Sequence, residues 1–109
     1  MPSDVTAMLG TPTEMAIFPG QPIVPFDTVG ATLAPAESAV YAICRADGSY
    51  VYFGETRDLR RRLLEHLVDK ESCIHRAGAA FFAYELHPSM GGRIARRNQL
   101  VAMYPTECN

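Results

Sequence analysis

Residues 39–66 decide the fold of this chain, and they read AVYAICRADGSYVYFGETRDLRRRLLEH. Two short runs, 40–44 and 50–54, are rich in the branched and aromatic residues that favour strands. The pair Asp47-Gly48 lies between them and is typical of a tight hairpin turn. The stretch therefore predicts an antiparallel β-hairpin.

A helix is expected directly after the hairpin. Leu59, Leu63 and Leu67 recur at the spacing of a buried helical stripe. Thr56 or Asp58 is suited to cap the first turn, because each side chain offers an oxygen to the free backbone N–H groups there. This segment predicts a helix that packs its leucines on the sheet.

The remaining elements complete an α+β pattern. Residues 69–78 are polar and predict a loop, and 79–86 predicts a third strand. Ser89 is suited to cap a second helix over residues 90–103. The order strand, strand, helix, strand, helix predicts a small three-stranded antiparallel sheet flanked by helices.

Residues 1–37 differ in composition from residues 38–109, where we place the domain. They hold six of the eight prolines and predict a Pro-rich N-terminal extension that is mostly coil. Within it, residues 21–26 favour an irregular edge segment laid on the domain, since proline confines a strand to edges. A tail that merely docks through its large apolar side chains is the alternative. All ten basic residues lie in 38–109, against eight acids, and this small excess permits a nucleic-acid partner.

The composition argues against a membrane-spanning protein. The 109 residues suit one domain, and no apolar run approaches the ~20 residues of a membrane helix. We expect no secretory signal, because the first residues lack a basic and then apolar segment. Cys44, Cys73 and Cys108 are widely spaced without a CxxC pair, so we expect free thiols in a reducing cytoplasm and no zinc site.

The second predicted helix carries an arginine on its apolar face. Met90, Ile94, Val101 and Tyr104 share one side of this helix, and Arg97 lies three residues from Ile94 and four from Val101. Its side chain either extends along the apolar seam to water or faces a site on the sheet.

The motifs together resemble the GIY-YIG nuclease superfamily, over about 70 residues. Ala39-Val40-Tyr41 stands where the family has Gly-Ile-Tyr, and Tyr52-Phe53-Gly54 stands at Tyr-Ile-Gly. Residues 58–66 read Asp-Leu-x-x-Arg-Leu-x-x-His, which resembles the family run of Asp-Leu, then Arg-Leu, then His or Tyr. Each motif is short, but their order and spacing make the resemblance specific.

One position departs from the family pattern. Residues 97–101 stand at Glu-x-x-Leu-Ile and are followed by Pro105 and Asn109 at the family spacing. Arg97 therefore takes the place of the glutamate that is the family's protein ligand to Mg²⁺ or Mn²⁺. A guanidinium offers no acceptor and repels a cation, so a metal site would need a substitute carboxylate. The candidates for it are Glu55, Glu85 and Glu107.

The resemblance implies hydrolysis of a phosphodiester in DNA. Tyr41 and Tyr52 would lie side by side on paired strands, and one of them, or His66, would help to deprotonate the attacking water. Arg62 would face the phosphate, because its planar fork suits phosphate oxygens. Asn109 would orient a group of the site by hydrogen bonding.

These residues also have structural interpretations. Both tyrosines would then be core residues of the sheet, and Arg62 would belong to a solvated basic run. His66 would complement the dipole at a helix C-terminus, and Asn109 would be an ordinary chain end. Gly54 is favoured as structural in either case, since glycine lets a strand end turn tightly.

Three functional hypotheses follow. The favoured one is a GIY-YIG endonuclease-like domain that is impaired in metal-dependent cleavage and acts as a nucleic-acid-binding or interaction module. The alternative is an active DNA endonuclease that uses a substitute metal ligand, or Arg97 as a charge clamp. The third is a protein-interaction module in which 1–37 covers the cleft. The basic residues expected to contact nucleic acid are Arg57, Arg60, Arg61, Arg93, Arg96 and Arg97.

Overall fold

The architecture is an antiparallel sheet covered by helices on both faces. The computed structural model of the protein describes residues 17–109. Its strands are β1 (Val24–Pro25), β2 (Ala39–Cys44), β3 (Tyr50–Thr56) and β4 (Phe81–Leu86), and its helices are α1 (Thr28–Leu33), α2 (Leu59–Val68), α3 (Cys73–Arg76) and α4 (Met90–Met103). The strands lie in the order β1-β4-β2-β3. The predicted α+β class is confirmed.

The sheet has four strands and not the predicted three. In β1, Val24 lies opposite Phe82 and Pro25 opposite Phe81 of β4. The expected edge segment over residues 21–26 is thereby confirmed, and Pro25 is tolerated because β1 is the outer strand. A strand of two residues is too short to show an alternation of apolar and polar side chains, so it could not be counted from the sequence. The part of the predicted extension before residue 17 lies outside the described residues.

The central hairpin forms as predicted. Gly48 has a φ of +90°, which only glycine adopts readily, and its N–H donates to the Arg45 carbonyl at 2.9 Å. The Asp47 carboxylate accepts from the backbone N–H of Ser49 at 2.9 Å. Every residue of β2 is buried, because this strand is central in the sheet and covered on both faces.

One face of the sheet is covered by α1, α2 and α3. Asp58 caps α2 as predicted, accepting from the Arg61 N–H at 3.1 Å, and Leu59 and Leu63 are fully buried. The predicted loop at 69–78 contains α3, and α1 lies in a region predicted to be coil. Both expectations were wrong, because helices of four and six residues are too short to show an apolar period.

The opposite face is covered by α4. Ser89 caps this helix as predicted, accepting from the Gly92 N–H at 3.2 Å. Leu100 packs in a core cluster with Val40 and Ala42, which alternate along β2 with the residues that face α2. The two faces of β2 therefore belong to two separate cores.

The predicted apolar stripe of α4 was wrong except at Tyr104, which packs against the core cluster that contains Leu100. The buried residues of this helix are Arg93 and Leu100, and Arg97 lies half-buried on the same side between them. Burial of Arg93 is possible because its guanidinium pairs with Glu55 at 3.1 Å. Exposed instead are Met90, Ile94 and Val101.

The cysteines also correct an expectation. Cys73 and Cys108 form a disulfide, with a Cα–Cα distance of 5.7 Å, and only Cys44 is a free, buried thiol. The tail folds back along β3 and joins residues that are 35 apart in sequence, which no local spacing reveals. The argument from free thiols to a reducing compartment therefore no longer holds.

Within residues 17–109, no helix is both long and apolar enough to cross a membrane.

Candidate active site

A buried pair of side chains forms the centre of the candidate site. Tyr41 is fully buried in the middle of β2, and its hydroxyl lies 2.8 Å from Nε2 of His66. His66 reaches this position because it continues the buried stripe of α2, three residues after Leu63. The hydrogen bond joins the first motif of the sequence to the end of the Asp58–His66 run.

Burial shifts both groups toward their neutral forms. Burial, followed by the nearby Arg62, lowers the pKa of His66 to about 4. Burial, followed by Tyr52, raises the pKa of the Tyr41 hydroxyl well above its ordinary range. At neutral pH the pair is therefore an uncharged hydrogen-bonded couple, which makes Tyr41 a poor base and His66 a weak one.

Gly54 lies directly beneath the Tyr41 ring. These residues are opposite each other on β3 and β2, and a Cβ placed on Gly54 would lie 2.4 Å from Cζ of Tyr41. Gly54 lies within β3 and does not have a positive φ, so the tight turn expected there is wrong. The glycine is required by the close approach of the tyrosine ring.

The outward side of this pair opens into a small cavity. Its volume is about 250 Å³, and Tyr52 and Ile74 lie in its wall. The ring of Tyr52 meets that of His66 edge-on, with centroids 5.4 Å apart, and lies 6.1 Å from the Tyr41 ring. The ionisable and polar side chains in the wall are Arg62, Glu65, His66, Asp69 and Ser72, together with Cys73 and Cys108.

Arg62 is held at the cavity by a neighbour on the same helix. Its Nη1 donates to the Glu65 carboxylate at 3.0 Å, and it lies near enough to Tyr41 to affect that pKa. The side chain is 43% exposed, but it also forms part of the cavity wall. An arginine in this position can donate to an anion that enters the cavity.

Asn109 pairs with the backbone of the outer strand. Its side-chain amide accepts from the Phe53 N–H and donates to the Phe53 carbonyl, both at 2.8 Å. The amide thus imitates a peptide group on the free edge of β3. Asn109 therefore stabilises β3, the strand that carries Tyr52, by hydrogen bonds to its backbone.

The comparison with protein families agrees with this geometry. The family model described as the GIY-YIG catalytic domain matches residues 37–96, more than half of the chain. The chain belongs to the GIY-YIG family. No curated protein and no solved structure matches it.

Arg97, predicted from the sequence to stand at the family's metal-ligand position, lies outside the cavity. The GIY-YIG match ends at residue 96, so the assignment of Arg97 rests on the spacing of the sequence motifs. Arg97 is on α4, on the face of the sheet opposite Tyr41 and His66, and its Nε donates to the Asn98 side chain at 2.9 Å. The structure therefore brings together Tyr41, Tyr52, Arg62 and His66, but Arg97 does not line their cavity.

The candidate substitute carboxylates are all paired with arginines. Glu55 accepts from Arg93 at 3.1 Å, Glu85 accepts from Arg96 at 2.8 Å, and Glu107 pairs with Arg45. Across residues 17–109, no three His, Cys, Asp or Glu side chains are grouped so that they could hold a metal ion. The cavity wall itself holds the carboxylates of Glu65, which pairs with Arg62, and of Asp69. A guanidinium at position 97 offers a divalent cation no acceptor.

The expected nucleic-acid residues divide by exposure. Arg93 is 2% exposed and donates to the carbonyls of His87 and Pro88. Its expected contact with nucleic acid is therefore wrong. Arg96 is half-buried and donates to the Ile17 carbonyl at 2.8 Å. The exposed members of the set are Arg57, Arg60 and Arg61, at the start of α2.

Sequence reasoning missed the residues that close the cavity. Asp69, Cys73 and Cys108 lie in its wall, whereas the sequence pattern predicts a loop at Asp69 and free thiols at both cysteines. One signal was present in the sequence, because Cys108 directly precedes Asn109. A residue adjacent to an expected site residue is a reasonable candidate for the same site.

Proposed function

We propose that this GIY-YIG domain binds nucleic acid and lacks metal-dependent cleavage. The family implies a nuclease-like domain. One observation supports the loss of cleavage: Glu55, Glu85 and Glu107, the substitute carboxylates considered from the sequence, are each paired with an arginine. Arg97 itself, which the motif spacing assigns to the metal-ligand position, offers a cation no acceptor.

The proposed binding surface is the first half of α2 beside the cavity. Arg57, Arg60 and Arg61 are exposed there, and Arg62 points toward the cavity lined by Tyr52. The positive charges of Arg61 and Arg62 are only partly neutralised, since both side chains pair with the single carboxylate of Glu65. This arrangement suits contact with the phosphate backbone, which is the part of nucleic acid that confers affinity without sequence specificity.

The salt dependence of DNA binding tests this surface. Fluorescence anisotropy with a labelled short duplex and a labelled single strand should show affinity that falls steeply with salt. Arg57→Gln and Arg61→Gln should each reduce the slope of log K against log salt by about one. Arg76→Gln is the matched control, because Arg76 is exposed on α3 outside the proposed surface. Affinity that is absent at low salt, or unaffected by either substitution, would favour a protein-interaction module instead.

An active nuclease is the second candidate. It is favoured by one observation, that Tyr52, Arg62 and His66 line the same cavity. Arg62, and not Arg97, would then stabilise charge on the phosphate, because Arg97 does not line that cavity. This candidate predicts cleavage that resists EDTA and is lost in Arg62→Gln.

The cytoplasmic location stays a proposal. A cytoplasmic location requires that the Cys73–Cys108 disulfide be partly reduced there, because a reducing compartment keeps cysteines as thiols. Fractionation with thiol labelling of these cysteines tests the location and the redox state together.

A further inference from the structure

The last residues of the chain lie along the open edge of the sheet. Strand β3 is the outer strand, so its outward N–H and C=O groups have no strand partner. The Cys108 N–H donates to the Val51 carbonyl at 3.1 Å, and the Asn109 amide pairs with both backbone groups of Phe53. The tail, residues 107–109, therefore covers part of this edge.

A covalent bond ties the same tail to the opposite side of the cavity. The disulfide joins Cys108 to Cys73, which begins α3. Both cysteines lie in the wall of the cavity that contains Tyr52, Arg62 and His66. The bond thus links the outer strand to α3 directly beside the candidate site.

We propose that the Cys73–Cys108 disulfide is a redox latch that holds the tail against β3 and completes the wall of the candidate site. The oxidised form has the docked tail, and the reduced form releases it. That the latch regulates nucleic-acid binding rests on the function proposed above, whereas docking of the tail does not.

A dithiol of the cell, or a small dithiol reagent, supplies the two electrons. One of its thiolates attacks a sulfur of the Cys73–Cys108 bond, so that a mixed disulfide forms and the other cysteine leaves as a thiolate, which takes up a proton. The second thiol of the reagent then displaces the remaining cysteine, and the reagent becomes a disulfide. The neighbouring residues do not shield the bond completely, because both cysteines are half-exposed.

The contacts that remain after reduction are weak. They consist of hydrogen bonds at the edge of β3 and the partly exposed pair of Arg45 with Glu107. Each hydrogen bond of this kind contributes only modestly to stability and an exposed ion pair contributes less, so together they hold a free tail marginally. The reduced tail therefore detaches, Phe53 loses its amide partner, and Cys108 leaves the wall of the cavity.

Hydrogen exchange and DNA binding, measured on the same oxidised and reduced samples, test the latch. On reduction with dithiothreitol the Phe53 amide should exchange at least about tenfold faster, and affinity for a short duplex should fall about threefold to tenfold. Cys108→Ser and Cys73→Ser should each behave like reduced protein without added reductant. Cys44→Ala is the matched control and should respond as the wild type does, because Cys44 is buried and its pKa is raised to about 11.

The outcomes separate the latch from the proposed function. Unchanged exchange at Phe53 on reduction would overturn the latch, whatever the affinity for DNA. Faster exchange without DNA binding in either state would support the latch and contradict the proposed function. Faster exchange with equal DNA affinity in both states would overturn the regulation of binding.

Discussion

The ring of Tyr41 lies so close above Gly54 that a Cβ at Gly54 would stand 2.4 Å from Cζ of the tyrosine. The two residues face each other on adjacent strands, β2 and β3. This contact explains why the tyrosine of the first motif and the glycine of the second occur together. The glycine makes room for the ring, and the ring then reaches His66.

Gly54→Ala should destabilise the protein by about 2–4 kcal/mol, because the added methyl group overlaps a buried ring that cannot move aside. Denaturant unfolding followed by circular dichroism measures this change. Gly91→Ala is the control, since a Cβ there meets nothing closer than 3.9 Å and helix propensity favours alanine. Equal stabilities for the two variants would contradict the close approach.

The buried His66 should make stability depend on pH. Its pKa falls from an ordinary 6.5 to about 4 in the folded state, so protonation favours the unfolded chain. This contribution is complete above pH 6.5 and is lost as the pH falls toward 4, by up to about 3 kcal/mol. Urea unfolding between pH 7.5 and 4 should show a steeper loss for the wild type than for His66→Gln. Parallel curves would contradict the shifted pKa.

Tyr41 and Tyr52 should differ in how much their hydroxyl groups contribute to the stability of the fold. Tyr41→Phe leaves His66 without its buried partner and should cost about 1–3 kcal/mol of stability. Tyr52→Phe should cost less than about 0.5 kcal/mol, because the side chain is half-exposed in the wall of the cavity. Thermal unfolding of both variants compares them directly. A larger loss for Tyr52→Phe would contradict the assignment of Tyr41 as the internal residue.

Asn109→Ala should lower stability by about 1–2 kcal/mol, because it removes two hydrogen bonds from the outer strand. Asn109→Asp should be intermediate, since a carboxylate accepts from the Phe53 N–H but cannot donate to its carbonyl. Asn98→Ala is a suitable control, as this exposed side chain accepts only from Arg97. If all three variants unfold at the same denaturant concentration, Asn109 is an ordinary chain end.

The sequence predicted the elements whose pattern is long enough to show a period. The hairpin, the helix with Leu59 and Leu63, and the caps Asp58 and Ser89 are all confirmed. The short elements α1, α3 and β1 were not fully predicted, because four to six helical residues or two paired ones leave no periodic signal. Tertiary contacts decide these segments.

The α4 helix shows a different limit of sequence reasoning. Apolar spacing placed Ile94 and Val101 inside, but Arg93 is buried in their stead. An arginine is buried at this position because Glu55, 38 residues away in sequence, accepts a hydrogen bond from the Arg93 guanidinium. The disulfide of Cys73 with Cys108 was hidden for the same reason, as it depends on how the tail folds back. Pairings between distant residues are not encoded in local spacing.

The most direct test of the central claim is plasmid nicking by the purified chain. Supercoiled DNA is incubated with Mg²⁺, with Mn²⁺ and with EDTA, and wild type is compared with Tyr52→Phe. The account predicts that with either metal the wild type nicks no faster than Tyr52→Phe. Nicking that requires metal and disappears in Tyr52→Phe would contradict it and would show that the domain retains the cleavage chemistry of its family.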